Sequence, residues 1–326
     1  MSSGQPLVSV VTPFYNAAPY FAQCIESVLA QTYGNFEYVL LDNLSTDGSG
    51  DLAREYASRD SRLRVVRNEQ FLSLTQNHNA VLRLMSKESR YCKVLQADDW
   101  LFPSCLSEMV RIAEANPSIG IVSAYTLLER SVYLTGLPFP SEFISGKDIA
   151  RRLLLEGLNV FGSPTASLIR ADLVRARDPF YDDRSPIDDL DVCLELTQHC
   201  DFGFVNQVLT FTRRDNPSTI TRLKEYGIST LTAAMIVNRY GPKFLQPAAL
   251  RDRKQEVEHD EYNVLAAGFL SRQPREFWDF HRNGLALAGL RINRARVAWR
   301  VLARLVDRLL NPKSTLDKLL ARWRRR

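Results

Sequence analysis

The first 124 residues alternate short β-branched runs with amphipathic segments of helical period. Five apolar runs have the length of buried strands, at residues 7–11, 36–41, 63–66, 92–97 and 119–124. The segments between them place their apolar residues on one helical face, at about residues 19–31, 49–58, 74–86 and 104–115. Strands that alternate with helices form a parallel sheet with helices on both faces. The pattern therefore predicts an α/β fold with a Rossmann-like, mostly parallel sheet.

Composition indicates an ordinary globular protein. The chain has 326 residues, of which 45% are hydrophobic and 24% are charged, enough for one large domain or two smaller ones. Its five cysteines are an odd number without C-x-x-C spacing, which predicts buried thiols in a reducing compartment. The polar N-terminus does not have the pattern of a signal peptide, and no apolar window reaches the length of a membrane span. We expect a cytoplasmic protein.

Acidic side chains follow two of the predicted strands. Asp42 comes after the second strand, and Asp98 and Asp99 come after the fourth. Open α/β sheets bind ligands at the carboxyl ends of their strands, so these three carboxylates would share one rim. Clustered acids repel each other unless a cation or ligand offsets their charge. Although Asp-Asp is also common in surface turns, the arrangement favours a ribose or a divalent cation with oxygen ligands.

The C-terminal third lacks strand signals after about residue 222. Helical patterns occupy residues 224–240, 244–272 and 275–287, with breaks near Gly241-Pro242 and Gln273-Pro274. Residues 291–326 then carry twelve Lys or Arg and two acids, which leaves the rest of the chain mildly acidic. A basic segment of this kind predicts a partner of its own.

Residues 291–326 also have the pattern of a basic amphipathic tail. Val297, Val301, Leu305 and Leu309 form one stripe, and a second stripe at i, i+4 spacing consists of arginines: Arg296, Arg300, Arg304 and Arg308. This pattern favours an anionic membrane surface, with the protein peripheral on the inner membrane face. The alternative is a helix that packs its apolar stripe on the N-terminal α/β domain or on a second subunit. Nucleic acid is not expected, because the tail has no known binding module.

Several segments, in order along the chain, resemble family-2 glycosyltransferases of the GT-A fold. They are VSVVTPFYN (8–16), SVLAQTY (27–33), FEYVLLDNLSTDGS (36–49), QNHNAVL (76–82), VLQADDWLFP (94–103), SPTASLIR (163–170) and IDDLDVCLEL (187–196). The resemblance implies a catalytic domain over residues 1–222, with a nucleotide-binding half (1–100) and an acceptor-binding half (101–222). Residues 223–326 would form the helical C-terminal region.

The resemblance implies inverting transfer of a single sugar from a nucleoside-diphosphate sugar, with UDP as the expected nucleotide. The acceptor would be a hydroxyl of a glycan, a lipid-linked glycan or a protein. The positions that would contact the nucleotide are Pro13, Tyr15, Asn16, Asp42, Asn79 and Asp98. Among them, Asp42 would accept a hydrogen bond from the base, and Asp98 would reach the ribose or metal-bound waters.

The resemblance also implies a metal site and a catalytic base. Asp99 would ligate Mg²⁺ or Mn²⁺, and Asp215 either supplies a second carboxylate ligand or has no role. Asp189 would be the base that deprotonates the acceptor hydroxyl. Asp188 is a second candidate base, with a helix N-cap as its alternative, and Asp191 is expected at a solvated helix position.

Four positions depart from the family pattern. The usual second acid after strand two is Asn43, the usual acid before the Asp pair is Gln96, the usual arginine of the third helix is His78, and Asp215 stands where His is common. We expect His78 to contact phosphate or to lie solvated on the helix surface. Two competing functions stay open: a nucleotidyltransferase, although the N-terminal region lacks a Gly-rich phosphate loop, and a sugar-nucleotide-binding scaffold without turnover. The sequence does not decide the oligomeric state, and a homo-oligomer is one option.

Overall fold

The computed structural model describes residues 4–214 and 225–310. The chain divides into two compact units, Met1–Ser218 and Thr219–Arg326. The boundary predicted at residue 222 lies outside the described residues, as does the candidate metal ligand Asp215.

One mixed sheet forms the centre of the first unit. Its strands are β1 (Val8–Phe14), β2 (Phe36–Asp42), β3 (Leu63–Arg67), β4 (Tyr91–Val94), β5 (Trp100–Leu101), β6 (Ile119–Leu128), β7 (Ser131–Tyr133), β8 (Phe143–Ile144), β9 (Leu168–Arg170) and β10 (Asp201–Thr212). The main path runs β3-β2-β1-β4-β9-β6-β10-β5. The pairs β3–β2, β2–β1, β1–β4 and β6–β10 are parallel, whereas β9 runs antiparallel between β4 and β6. The predicted α/β fold is confirmed.

Helices flank this sheet, as the alternating pattern predicts. They are α1 (Ala18–Leu29), α2 (Ser49–Arg59), α3 (Leu74–Arg83), α4 (Cys105–Ala115), α5 (Gly146–Glu156), α6 (Ala171–Arg175) and α7 (Asp188–Leu196). In α1 the predicted apolar face is buried through Phe21, Cys24, Ile25 and Val28. These side chains join the fully buried residues of β1 and β2 in one hydrophobic core, which fixes the sheet that carries the acids.

Two predicted strand boundaries are wrong. β1 continues through Pro13 to Phe14, because each residue stays in parallel register with β2 up to the pair Phe14–Asp42. Pro13 is therefore a buried strand residue and does not belong to a loop. β4 ends at Val94 instead of residue 97, because the chain turns and the Asp99 N–H donates to the Gln96 carbonyl (3.1 Å).

The second unit is helical over its described part, with α8 (Ile228–Phe244), α9 (Pro247–Leu270), α10 (Arg275–Leu287) and α11 (Arg294–Leu310). The break predicted near residue 241 is wrong, because Pro242 falls in the last turn of α8 and the helix ends at Phe244. A buried hydrogen bond joins Nδ1 of His281 on α10 to Oε1 of Glu261 on α9 (2.5 Å). None of the described helices is long and apolar enough to cross a membrane.

All five cysteines are buried free thiols, which confirms that part of the sequence interpretation. Burial raises the pKa of the thiols of Cys24, Cys92 and Cys200, because a thiolate loses its hydration inside the protein. These side chains therefore act as small apolar core residues, not as nucleophiles or metal ligands.

Candidate active site

Three neighbouring parallel strands deliver the predicted site residues to one edge of the sheet. β2 ends at Asp42, which is in register with Phe14 at the end of β1, directly before Tyr15. β4 lies on the other side of β1 and leads into Asp98 and Asp99. Because these strands are parallel neighbours, Asp42, Asp98 and Asp99 follow strand ends at the same edge of the sheet, as the sequence predicts.

Asp99 lies almost fully buried at this edge, with 2% of its surface exposed. The Thr165 hydroxyl donates to its Oδ2 (2.6 Å), and the backbone N–H of Arg213 donates to its Oδ1 (2.9 Å). Burial raises the pKa of Asp99 to about 7, the Thr165 bond opposes this shift, and the charge of Asp98 adds to it. A nearby cation would favour the charged form of this carboxyl.

Residues 162–167, hereafter the 162–167 segment, lie close to Asp99 and are held there by hydrogen bonds from Lys93 and Gln96. Lys93 in β4 is fully buried, and its Nζ donates to the carbonyls of Thr165 (2.5 Å) and Ser167 (3.2 Å). The backbone N–H of Gln96 donates to the Thr165 hydroxyl (3.1 Å). The loop that carries the acids and the 162–167 segment therefore form one hydrogen-bonded assembly.

Asp189 reaches the same assembly from α7. Its side chain is partly buried and lines a small cavity together with Ser163, Pro164 and Tyr181. Burial raises the pKa of Asp189 to about 6, and the charge of Asp188 is the second cause. The 162–167 segment thus contacts Asp99 through Thr165 and borders the cavity lined by Asp189 through Ser163 and Pro164.

Asp188 is the first residue of α7 and not its N-cap, which is Ile187. The Thr75 hydroxyl of α3 donates to Asp188 Oδ2 (3.1 Å), and the Asp189 N–H donates to its Oδ1 (2.9 Å). Burial raises the pKa of this carboxyl as well. Asp191, expected in solvent, is instead buried and accepts a hydrogen bond from the Ser185 hydroxyl (2.6 Å), because the turn before α7 folds back over the helix.

His78 and Gln96, two departures from the family pattern, contact each other. His78 is buried, so the expectation of a solvated helix position is wrong. Its Nδ1 donates to the Leu74 carbonyl (2.8 Å), which leaves Nε2 to accept from the Gln96 amide (2.9 Å). Burial lowers the pKa of the imidazole, and a neutral ring fits this pattern. A neutral pair therefore occupies residues 78 and 96, where the resemblance implies an arginine and an acid.

Asn43, a third departure, fixes a loop. Its Nδ2 donates to the Leu72 carbonyl (2.9 Å), and its Oδ1 accepts from the Leu72 N–H (3.0 Å) and from Asn68 Nδ2 (2.9 Å). An aspartate offers no donor for the Leu72 carbonyl. The amide therefore sets the position of the residues just before α3.

That loop carries Phe71, which sequence reasoning missed. Phe71 is 60% exposed and meets the half-exposed ring of Tyr15 edge-on, with 4.9 Å between ring centroids. The signal available in the sequence was only a short apolar pair, Phe71-Leu72, between the polar residues Gln70 and Ser73. Large exposed apolar side chains beside a polar rim are typical of binding surfaces.

Asn16 and Asn79 hold loops together. The Asn16 backbone has a left-handed φ of 49°, its Oδ1 accepts from the Thr46 N–H (2.9 Å), and its N–H donates to the Ser45 hydroxyl (3.0 Å). The Asn79 amide donates to the Tyr181 carbonyl and accepts from the Tyr181 N–H, each at 2.8 Å. Both side chains thus shape the site by anchoring backbone, a role that motif comparison does not reveal.

Asp42 is fully buried. Its Oδ1 accepts from the Ser45 N–H (2.7 Å), and Arg67 Nε lies 3.7 Å from its Oδ2. Over the described part of the chain, Oδ2 accepts no hydrogen bond. A Cβ at Gly50 would come within 2.9 Å of this oxygen, so the glycine allows α2 to approach it. Asp42 Oδ2 is therefore the atom that can accept a hydrogen bond from an N–H group of a ligand.

Residues 4–214 and 225–310 contain no group of three His, Cys, Asp or Glu side chains arranged to hold a metal ion. Mg²⁺ usually keeps several waters and binds through one or two carboxylates plus phosphate oxygens. Asp98 and Asp99 supply two adjacent carboxylates of this kind, and repulsion between them contributes to the raised pKa of Asp99. The pair therefore fits a cation that is completed by a diphosphate, although not an all-protein metal cage.

Residues 9–177 match the model of Glycosyl transferase family 2, more than half of the chain. The chain belongs to this family of glycosyltransferases. A glycosyltransferase of Streptococcus pneumoniae, GlyG, is 28% identical over 51% of this chain and 58% of its own length. TuaG of Bacillus subtilis, a putative teichuronic acid biosynthesis glycosyltransferase by its description, is 36% identical over 30% of this chain and 38% of its own length. The matches thus span less than two thirds of these relatives.

Solved structures show the same fold. TarS residues 1–349 from S. aureus, solved in complex with UDP-GlcNAc, has a TM-score of 0.60 at 17% identity and covers 85% of this chain and 79% of that one. The mannosyltransferase PcManGT from Pyrobaculum calidifontis, solved with GDP-Man and Mn²⁺, has a TM-score of 0.52 at 16% identity and covers 94% and 88%. The GT-A assignment of the fold is confirmed.

Proposed function

We propose that this chain transfers a single sugar, with inversion, from a UDP-sugar to an acceptor hydroxyl. The observation that carries the proposal is the shared 162–167 segment, which contacts the Asp99 carboxylate and borders the Asp189 cavity. The acceptor is a hydroxyl of a glycan, a lipid-linked glycan or a protein. The nucleotidyltransferase alternative is set aside by the family match.

Asp189 acts as the general base in this proposal. An acceptor hydroxyl becomes a good nucleophile only when a base removes its proton as the new bond forms. A pKa of about 6 makes Asp189 a stronger base than an ordinary aspartate while it stays ionised at neutral pH. Asp188 supports this role through its charge, because its carboxylate raises the pKa of its neighbour.

Asp99, with Asp98 beside it, would hold a Mn²⁺ or Mg²⁺ ion at the diphosphate end of the donor. When bound, the cation stabilises the negative charge that develops on the departing nucleoside diphosphate. Asp99 is kept in place by Thr165 and by the Arg213 N–H, so its carboxylate is oriented before the donor arrives. Support for a cation comes from this donor set and from the Mn²⁺ in the PcManGT complex.

Tyr15 and Phe71 form the surface on which the nucleoside base rests in this proposal. The two rings contact each other, and Tyr15 directly follows Phe14, the last residue of β1, which is in register with Asp42 at the end of β2. An aromatic side chain that stacks on a base contributes about 1–3 kcal/mol to binding. Asn43 positions Phe71 indirectly, through its contacts to Leu72.

Phe71→Ala is expected to raise the KM for the UDP-sugar about tenfold with little change in kcat, because the stacking surface is lost and the chemistry is not. Initial rates over a range of donor concentrations measure this. Phe139→Ala removes another exposed phenyl ring (77% exposed) from the same unit and serves as the control. Asn43→Asp should raise the KM as well, since it removes the donor to the Leu72 carbonyl. An unchanged KM in Phe71→Ala would refute the base platform.

The pH profile tests the base. At saturating donor and cation, kcat/KM for the acceptor should be half-maximal near pH 6 and fall tenfold per unit below it, because only the ionised Asp189 accepts a proton. Asp188→Asn removes the second cause of the raised pKa, so the acid limb should move to lower pH while turnover persists. An acid limb that stays in place would contradict the coupling, and loss of all turnover would make Asp188 the base.

A further inference from the structure

The terminal helix α11 uses only one of its faces inside the protein. Val297 is buried in a cluster with Tyr262, Leu265 and Phe277, and Val301 packs against the same cluster. Arg296 pairs with Glu258, and an Arg300 guanidinium N–H donates to His259 Nδ1 (2.5 Å), so both arginines contact α9. We call Val297 and Val301 the inner stripe.

A second apolar row lies on the opposite side of α11. Trp299 is 67% exposed, and five aliphatic side chains are exposed with it, Leu302, Leu305, Val306, Leu309 and Leu310. At about 100° per residue, Trp299, Leu302, Val306 and Leu310 fall on one side of the helix, and Leu309 lies beside them. We call Trp299, Leu302, Val306, Leu309 and Leu310 the outer stripe. Of the stripe predicted from sequence, Val297 and Val301 therefore pack inside the protein, whereas Leu305 and Leu309 are exposed.

Positive charge accompanies the outer stripe. Arg296, Arg300 and Arg304 follow one another at i, i+4 between the inner and outer stripes, and Asp307 is the sole acid within Arg294–Leu310. The sequence after residue 310 adds six basic residues and one acid. An apolar stripe beside an arginine row matches the boundary between lipid chains and anionic headgroups, because apolar side chains enter the acyl region and guanidinium groups bind phosphate.

We propose that the outer stripe of α11 docks this protein on an anionic lipid surface. A second copy of the chain is the weaker partner, because a symmetric contact through the outer stripe would bring together two helices in which basic residues outnumber Asp307, the sole acid of α11. The inner stripe holds the helix to α9 and leaves the outer stripe presented. This docking goes beyond sugar transfer and needs neither donor nor cation.

Vesicle co-sedimentation of the full chain tests the docking. The probes are phosphatidylcholine vesicles with and without about one-third phosphatidylglycerol, at low and high salt. Wild type should bind the anionic vesicles, lose binding at high salt and bind neutral vesicles at least tenfold more weakly. The double variant Leu302→Glu/Val306→Glu should bind anionic vesicles at least tenfold more weakly than wild type.

Phe269→Glu is the control for added negative charge, because it places one of the same glutamates at an exposed apolar position of α9 in the same unit. It should bind vesicles like wild type. Circular dichroism and hydrolysis of a UDP-sugar show that each variant is folded. Equal vesicle binding by wild type and the double variant would overturn the proposal. So would a wild-type dimer that the double variant converts to a monomer while neither protein binds anionic vesicles.

Discussion

Asp189→Asn is expected to lower kcat about a thousandfold while affinity for the UDP-sugar stays within about twofold of wild type. An asparagine has nearly the same shape, and its oxygen still accepts from the Leu190 N–H, as Asp189 does at 2.7 Å. It cannot take a proton from the acceptor hydroxyl. Steady-state rates with saturating donor measure kcat, and calorimetric titration of the donor in the presence of Mn²⁺ measures affinity.

Asp188→Asn is the matched control for this variant, because it removes the same charge one residue away. It should retain most of the activity, since Asp188 faces the Thr75 hydroxyl and acts on Asp189 through its charge. Full activity of Asp189→Asn would eliminate it as the base. Loss of donor binding in that variant would show that Asp189 serves the donor instead of the acceptor.

Asp99→Asn should lower kcat/KM for the donor about a hundredfold and abolish the effect of Mn²⁺ on donor affinity, because one carboxylate ligand is lost. The fold should survive. The asparagine oxygen can accept from the Arg213 N–H while its amide donates to the Thr165 hydroxyl, which reverses the present bond. Donor titrations with Mn²⁺ and with a chelator, each combined with a thermal melt, separate the two effects.

Asp183→Asn removes an exposed aspartate from the same unit and controls for the loss of one negative charge. It should bind donor and Mn²⁺ like wild type. If Asp99→Asn responds to Mn²⁺ as wild type does, then the cation does not bind at Asp99. If wild type turns over equally well in the chelator, the metal part of the proposal fails, although the base assignment stands.

The architecture is largely readable from the sequence, because burial imposes a period on each element. The β-branched run after Leu7 and the helical face from Phe21 to Val28 both point to the core that forms. The antiparallel insertion of β9 between β4 and β6 is not readable. Its three residues carry no period of their own, and their place depends on partners that are distant in sequence.

The roles of individual polar side chains were harder to predict, since a hydrogen-bond partner leaves no local signature. Asn79 contacts the backbone of Tyr181, more than a hundred residues away, and motif comparison assigns it to the nucleotide. Asp191 has the helical position of a solvated residue and is nevertheless buried against Ser185. Motif position therefore indicates which residues gather at the site, whereas their contacts depend on the tertiary structure.

Because His78 and Gln96 contact each other, a substitution at one of these positions depends on the residue at the other. An arginine introduced at residue 78 alone would carry a permanent charge into a buried site with no acid at residue 96 to receive it. An acid introduced at residue 96 alone would not donate to Nε2 of His78, and the imidazole would have to gain a proton that burial disfavours. Each single substitution is therefore expected to destabilise the site, whereas the double substitution is not. A chimaera between this protein and another family member must exchange both residues together.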